Sequence, residues 1–361
     1  MIKNTLIYLV LIGLGFVSCD SEDTLTPSNA DEDRVLSQID LSNPDIQNWY
    51  TNYGMGVLFE YDNIMDFAYV ASSSSEASVW GQVEIPEIKT LFVNDPAGYG
   101  AYKEEVTSFL SDELFKYFKP NSKIANLMPY KVLLSESVFS PSSVPGETSH
   151  VLTESDSRYS SDAQNGLRSI YNDHSIVFGV NLNEVALDQD KFIKDNFYIL
   201  LSRIMRMHNL YDLVPEEFYG AKSIYYGYEM EPIYREENGI GDDKLVFVID
   251  KDWFYELGFI DAKYFFNSEL ATIYQYYDED GNYLGVIGSI THPRAIAPDD
   301  DFVADKGEDV RAYLNEMIHR NASQILAFPQ IVRNNMKILL NLFTDWGVDI
   351  VALNPDLEVL N

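Results

Sequence analysis

The chain has 361 residues, with 57 acidic against 25 basic side chains and a formal charge of −32. A surface of that sign repels nucleic acid and anionic lipid heads, so neither is expected as a partner. The length suffices for a sizeable core, the single cysteine excludes an internal disulfide, and the 25 Tyr and 20 Phe supply either core or ligand platforms.

In chain order, the first feature is a leader. Lys3 is followed by an apolar stretch at 5–17, the length of a signal-peptide core and too short to span a bilayer. Ser18-Cys19 then gives the small-residue-before-Cys pattern of bacterial lipoprotein cleavage. Cleavage after residue 18 is expected, with lipid attached to Cys19 and the mature protein tethered to a membrane. Residues 19–35 are acidic and polar with no apolar period, which predicts a flexible stalk; the folded domain is expected over 36–361.

Within that domain, Asn43 before Pro44 starts a helix over 43–52, and the apolar run 55–61 suits a strand. Residues 64–98 are mixed and end in a loop at Asp95-Pro96. An apolar stripe predicts a helix over 100–118. Strands are expected at 128–134 and 175–182, separated by a Ser-rich loop at 139–165. Phe197, Leu200, Leu201, Ile204, His208 and Tyr211 fall on one face of a helix at about 190–211. Pro215-Glu216-Glu217-Phe218 opens a short helix. Residues 234–250 end in a strand at 245–249, residues 267–276 read as helix, and Asp278 to Asn282 is an acidic turn. Helices at about 303–319 and 322–346 close an α+β fold whose helices gather in the C-terminal half.

Several segments, in this order, resemble a known family. The acids at Asp20, Glu22 and Asp23 are similar to the surface-export signal of Bacteroidetes lipoproteins. Residues 128–137 and 175–185 resemble that group's strand segments. Residues 195–218 resemble a helix that normally carries His-Glu-x-x-His, with its following Pro-x-Glu-Phe turn. Asp299 to Ala304 resembles a Glu-Asp-Phe-Ala-Glu box, and residues 325–353 resemble a final helix ending in Trp-Gly-x-Asp. The chain thus resembles the zinc-binding metallopeptidase lipoproteins of the Bacteroidetes, the substrate-import-associated zinc metallohydrolases. The resemblance implies a zincin-like fold, an outer-membrane location facing the cell exterior, and partnership with a SusC/SusD-type nutrient importer.

The same resemblance denies the reaction. In His-Glu-x-x-His, two imidazoles one helical turn apart grip zinc and the Glu is the general base. The matching residues here are Ile204, Met205 and His208: no first ligand, no base, and one histidine. The third ligand position is Asp300, and the last Glu of the box is Ala304. A shifted register, His208 to Asp212, offers a second donor but puts Asn209 at the base position. The expectation is a pseudoenzyme with no catalytic residues, no metal and no cofactor; the alternative is an active zinc metallopeptidase with unusual ligands. On its apolar stripe, His208 reads as a hydrogen-bonded core residue. A His208/His292/Asp300 metal site is a weaker option, and His150, His174 and His319 look scattered. Tyr225, Tyr226, Tyr228, Tyr276 and Tyr277 are core or rim packing, or else contacts for a peptide or glycan ligand, which leaves a glycan-binding surface lipoprotein as a third reading.

Overall fold

The computed structural model describes residues 34–68, 83–138, 169–172, 175–226, 230–241, 251–260, 274–277, 283–287 and 306–361. Contacts divide the chain into two units at Gln38/Ile39. The described part of the first is a short helix, α1 (Arg34–Gln38), which begins within the segment expected as stalk. The leader and Cys19 lie outside the described residues.

The second unit opens with α2 (Pro44–Tyr53). Asn43 caps it, its side-chain oxygen accepting the Asp45 and Ile46 N–H groups at 3.0 and 3.1 Å. Strand β1 (Gly56–Leu58) follows, shorter than the apolar run 55–61, and then a π-helical turn, Asn63–Ala68. Helix α3 (Pro96–Glu113) starts earlier than the apolar stripe indicates. The Asp95 carboxylate accepts the Gly98 N–H at 2.9 Å and Pro96 takes the first turn, so Asp95-Pro96 is a cap rather than a loop. Beyond Glu113 the chain tightens into a 3₁₀ turn, Phe115–Tyr117.

Strands β2 (Lys131–Ser135), β3 (Ile170–Tyr171) and β4 (Ile176–Gly179) complete a four-stranded sheet of order β1-β2-β4-β3. The first three strands in that order are parallel, with Val57 beside Val132 and Val132 beside Ile176; β3 runs antiparallel to β4. Nearly every strand residue is buried, as in sheets covered on both faces. α3 provides the crossover between β1 and β2.

Helices dominate the remainder: α4 (Leu182–Val185), α5 (Gln189–Met207), α6 (Glu216–Tyr219), α7 (Met230–Asn238) and α8 (Lys251–Leu257). A hairpin of β5 (Tyr274–Tyr277) and β6 (Tyr283–Ile287) interrupts them. The helix expected at 267–276 is therefore corrected at 274–276. Tyr-Gln-Tyr-Tyr alternates and is aromatic, which favours a pleated strand over a helix. The strand expected at 245–249 and the acidic turn at 278–282 lie outside the described residues, as does the Ser-rich loop at 139–165.

α9 (Lys306–His319), α10 (Ala322–Ala327), α11 (Gln330–Trp346) and α12 (Ile350–Leu353) close the chain. The single helix expected over 322–346 is two. Pro329 has no N–H to give and its ring clashes with the preceding turn, so the chain breaks at Phe328-Pro329. Asn321 and Gln324 start α10 with a reciprocal capping box. After α11, Gly347 takes φ +89° and its carbonyl accepts the Lys119 N–H at 2.8 Å. Asp349 then caps α12, accepting the Ala352 N–H at 3.0 Å. The Trp-Gly-x-Asp sequence is thus a turn that ties the last long helix to the segment after α3. The architecture is α+β and mostly helical around a small mixed sheet. Among the described residues no helix is long and apolar enough to cross a membrane.

Candidate functional site

α5 is the helix on which the metallopeptidase motif would stand. Asp188 caps it, accepting the Lys191 N–H at 3.2 Å. From Phe192 to Met205 every side chain except that of Lys194 is buried. A helix enclosed on all sides is a core element. Phe197 stacks on Phe118 with centroids 5.0 Å apart, and Arg203 Nε donates to the Asn172 carbonyl at 3.3 Å on the sheet side.

Ile204 and Met205 are fully buried near the end of this helix. His208 is not the core residue that its place in the stripe implies: α5 ends at Met207, and His208 is its exposed C-cap. The His208 N–H still donates to the Ile204 carbonyl at 3.2 Å, but the two side chains go to different environments, one to the core and one to solvent. Asn209 then turns left-handed at φ 50°, so His208 and Asp212 do not share a helix face either; Asp212 is exposed on a 3₁₀ turn, Leu210–Leu213. These residues do not fit zinc. Position 204 has no donor atom, position 205 has no proton acceptor, and position 208 points out of the fold. Asp300, Ala304, His292, His150 and His174 lie outside the described residues.

The tyrosine cluster leads to a second centre. Tyr226 is half-buried, its ring edge-on to Tyr219 at 5.6 Å and to Phe259 at 5.9 Å, and its hydroxyl donates to Asp309 on α9. Tyr225 meets Phe259 at 6.4 Å and keeps part of its ring in solvent. Tyr228 lies outside the described residues, and Tyr276 and Tyr277 belong to strand β5.

Beside Tyr226, Lys222 and Asp309 form an ion pair of 2.6 Å with side chains 1% and 0% exposed. Lys222 Nζ also donates to the Gly258 carbonyl at 3.1 Å and sits 3.8 Å from the Phe218 ring centroid and 4.6 Å from that of Tyr313. The Gly258 carbonyl accepts from the Tyr313 hydroxyl at 2.5 Å and from Asn335 at 3.3 Å. Burial pushes the Lys222 ammonium below the ordinary lysine value, against the opposing pull of Asp309. Burial first, and Asp309 second, raise the Tyr226 hydroxyl well above the usual tyrosine range. The network is closed: its ammonium, its carboxylate and the carbonyl all have partners. It fastens the turn at Gly258 and the 3₁₀ turn Gly220–Ile224 to α9 and α11. Nothing in the sequence singled out Lys222, Asp309 or Asn335, which lie far apart in the chain and carry no spacing signal.

No family model, no curated protein and no solved structure matches this chain.

A ligand-sized opening lies elsewhere, between α3 and the start of α2 with the residues just before it. It encloses about 560 Å³ and is lined by Asp40, Asn43, Pro44, Lys103, Glu104 and Thr107, among others. Lys103 Nζ meets Asp40 Oδ2 at 3.4 Å, and Asn43 Nδ2 donates to the Thr107 hydroxyl at 3.1 Å. The Ser42 hydroxyl, donating to Asp40 at 2.5 Å, holds that carboxyl below the usual carboxylate range. Charged groups of both signs beside apolar surface suit a neutral molecule with both polar and apolar parts better than an anion.

Proposed function

We propose that this chain is a surface-exposed outer-membrane lipoprotein, held by lipid on Cys19, which resembles zinc metallopeptidases but is catalytically degenerate. It serves as a binding or accessory subunit of a SusC/SusD-type nutrient uptake system, with a peptide or glycan as its ligand. The observation that carries the loss of catalysis is on α5: Ile204 and Met205 are fully buried where a ligand and a base would be, and His208 is exposed beyond the helix end. A zinc hydrolase needs three protein ligands and a base. The groove lined by Asp40, Asn43, Lys103 and Thr107 supports a binding role, since its volume lies within the range of small-ligand sites.

The test is hydrolysis of casein and of short peptides by the purified protein with added Zn²⁺. The expected rate equals that of the His208→Ala variant and of buffer. Zinc-dependent cleavage abolished by His208→Ala would overturn the reading in favour of an active metallopeptidase. The anchor is checked separately by palmitate labelling in the cell of origin, which Cys19→Ala should abolish.

A further inference from the structure

Asp195 on α5 and His319 at the end of α9 meet in a buried seam, with side chains 7% and 3% exposed. The His319 ring orientation is fixed by its own helix: Nδ1 lies 2.9 Å from the Asn315 carbonyl. A carbonyl only accepts, so Nδ1 carries the ring proton. Nε2 then points at Asp195 Oδ1 from 3.4 Å. That is longer than a charge-assisted N–H···O bond of about 2.7–2.9 Å. Among the described residues Asp195 Oδ1 accepts no hydrogen bond, whereas Oδ2 takes Lys191 Nζ at 3.0 Å.

A further buried polar group lies on the His319 face of α9. Asn315 lies one turn before His319 and so on the same face of α9; it is 1% exposed, and neither its amide oxygen nor its amide nitrogen has a partner. Buried polar atoms are nearly always paired, so the orphaned oxygens of Asp195 and Asn315 call for a partner.

We propose that a divalent transition metal is held between His319 Nε2 and Asp195 Oδ1, with the Asn315 amide oxygen as the third protein donor. Three features fit. Zinc-like bonds of about 2.0–2.1 Å at a tetrahedral angle put two donors about 3.3–3.4 Å apart, which is the observed separation. The Nδ1–H···O=C bond is the usual outer support of a ligating histidine, and Lys191 supports the carboxylate in the same way. One imidazole with two oxygens suits Zn²⁺ or Co²⁺ better than Mg²⁺ or Ca²⁺, which take oxygen throughout. The site is distinct from positions 204, 208 and 300. Being enclosed, it would clamp α5 to α9 and do no hydrolysis.

The test is Co²⁺ titration of the full chain, followed by visible d–d absorption, with thermal unfolding in the presence and absence of Zn²⁺. One equivalent of Co²⁺ should bind and Zn²⁺ should raise Tm. His319→Gln and Asp195→Asn, folded by circular dichroism, should weaken binding about tenfold or more, whereas His208→Ala should leave it unchanged. Folded wild-type protein that gives no cobalt bands overturns the proposal without recourse to any variant. So does a nitrogen NMR spectrum with both His319 ring nitrogens protonated in the presence of Zn²⁺. Metal binding lost in His208→Ala but kept in His319→Gln would also overturn it, and would revive the metallopeptidase site instead. Failure of the seam site alone leaves the accessory-subunit reading standing.

Discussion

Replacing Lys222 by Met isolates the buried network. The substitution keeps an unbranched side chain among Phe218, Phe259 and Tyr313 and removes the charge that faces Asp309 at 2.6 Å. Asp309 is then a fully buried carboxylate that has lost the cation facing it, while the Tyr226 hydroxyl still donates to it. Breaking a buried pair from one side costs about 3–5 kcal/mol, because the surviving charge loses its counter-charge. The Gly258 carbonyl loses one donor but keeps Tyr313 and Asn335, so its share is small. If the lost counter-charge is the main cost, removing the carboxylate as well should restore most of the loss. The double variant Lys222→Met/Asp309→Leu should then lie within about 1–3 kcal/mol of wild type, the residue being the orphaned Tyr226 hydroxyl. Urea unfolding of wild type, both single variants and the double gives the coupling energy directly. A Lys222→Met cost below about 1 kcal/mol, or single-variant costs that simply add, would refute this account of the network.

Tyr61, Tyr99, Tyr226 and Tyr313 all have hydroxyls raised by burial, so they keep their protons in the folded state at a pH where the unfolded chain releases them. Their contribution is complete below about pH 10 and is lost as pH rises, at up to about 1.4 kcal/mol per group per pH unit. Lys222, and Arg311, pushed down to about 10 by burial, act in the opposite sense but are fewer. Phenolate absorbance should therefore rise in a late step that coincides with loss of circular dichroism; complete titration of every tyrosine before any unfolding would refute this. Gly347→Ala should cost about 1–3 kcal/mol in thermal or urea unfolding, since φ is +89° and a Cβ there would stand 2.2 Å from Ser122 Cβ; a neutral result would show that this turn yields easily. The pair Ile204→His/Met205→Glu should destabilise by roughly 3–5 kcal/mol, as an unpaired charge enters a fully buried position, and added Zn²⁺ should not recover it. Recovery with zinc would mean that His208 can swing inward.

Where local chemistry decided the outcome, the sequence was readable. The Val/Ile/Leu/Phe runs at β2 and β4 read as buried strands, and Asn43-Pro44 and Pro215-Glu216-Glu217 are helix starts with their capping or dipole logic in view. Where a single residue redirected the backbone, periodicity misled. The stripe that carried His208 onto the face of α5 ignored Asn209, whose left-handed turn ends the helix, and the stripe over 322–346 ran through Pro329. Asp95-Pro96 carries the residues of a loop and of an N-cap alike, and the Asp95–Gly98 hydrogen bond decides for the cap. Lys222 and Asp309, or Asp195 and His319, were beyond reach for another reason: each pair is made by helix packing, and a charged residue in so acidic a chain gives no sign of which partner it will meet.

The two buried centres also explain how α9 is held. Its first turn carries Asp309, fixed by Lys222 and Tyr226; its last residue is His319, fixed against Asp195 of α5. Between them the buried face of α9 includes Val310, Leu314, Met317 and Ile318, which provide burial but little registration, because apolar contacts tolerate sliding. Charged contacts do not: a shift of one turn would separate Lys222 from Asp309 and leave both in the core. The polar residues of α9 therefore set its position along α5 and α11, while its apolar residues supply the stabilising area. On that argument, variants in the apolar set should lower stability without changing the arrangement. Variants at Asp309 or His319, or at their partners Lys222 and Asp195, should free α9 to slip.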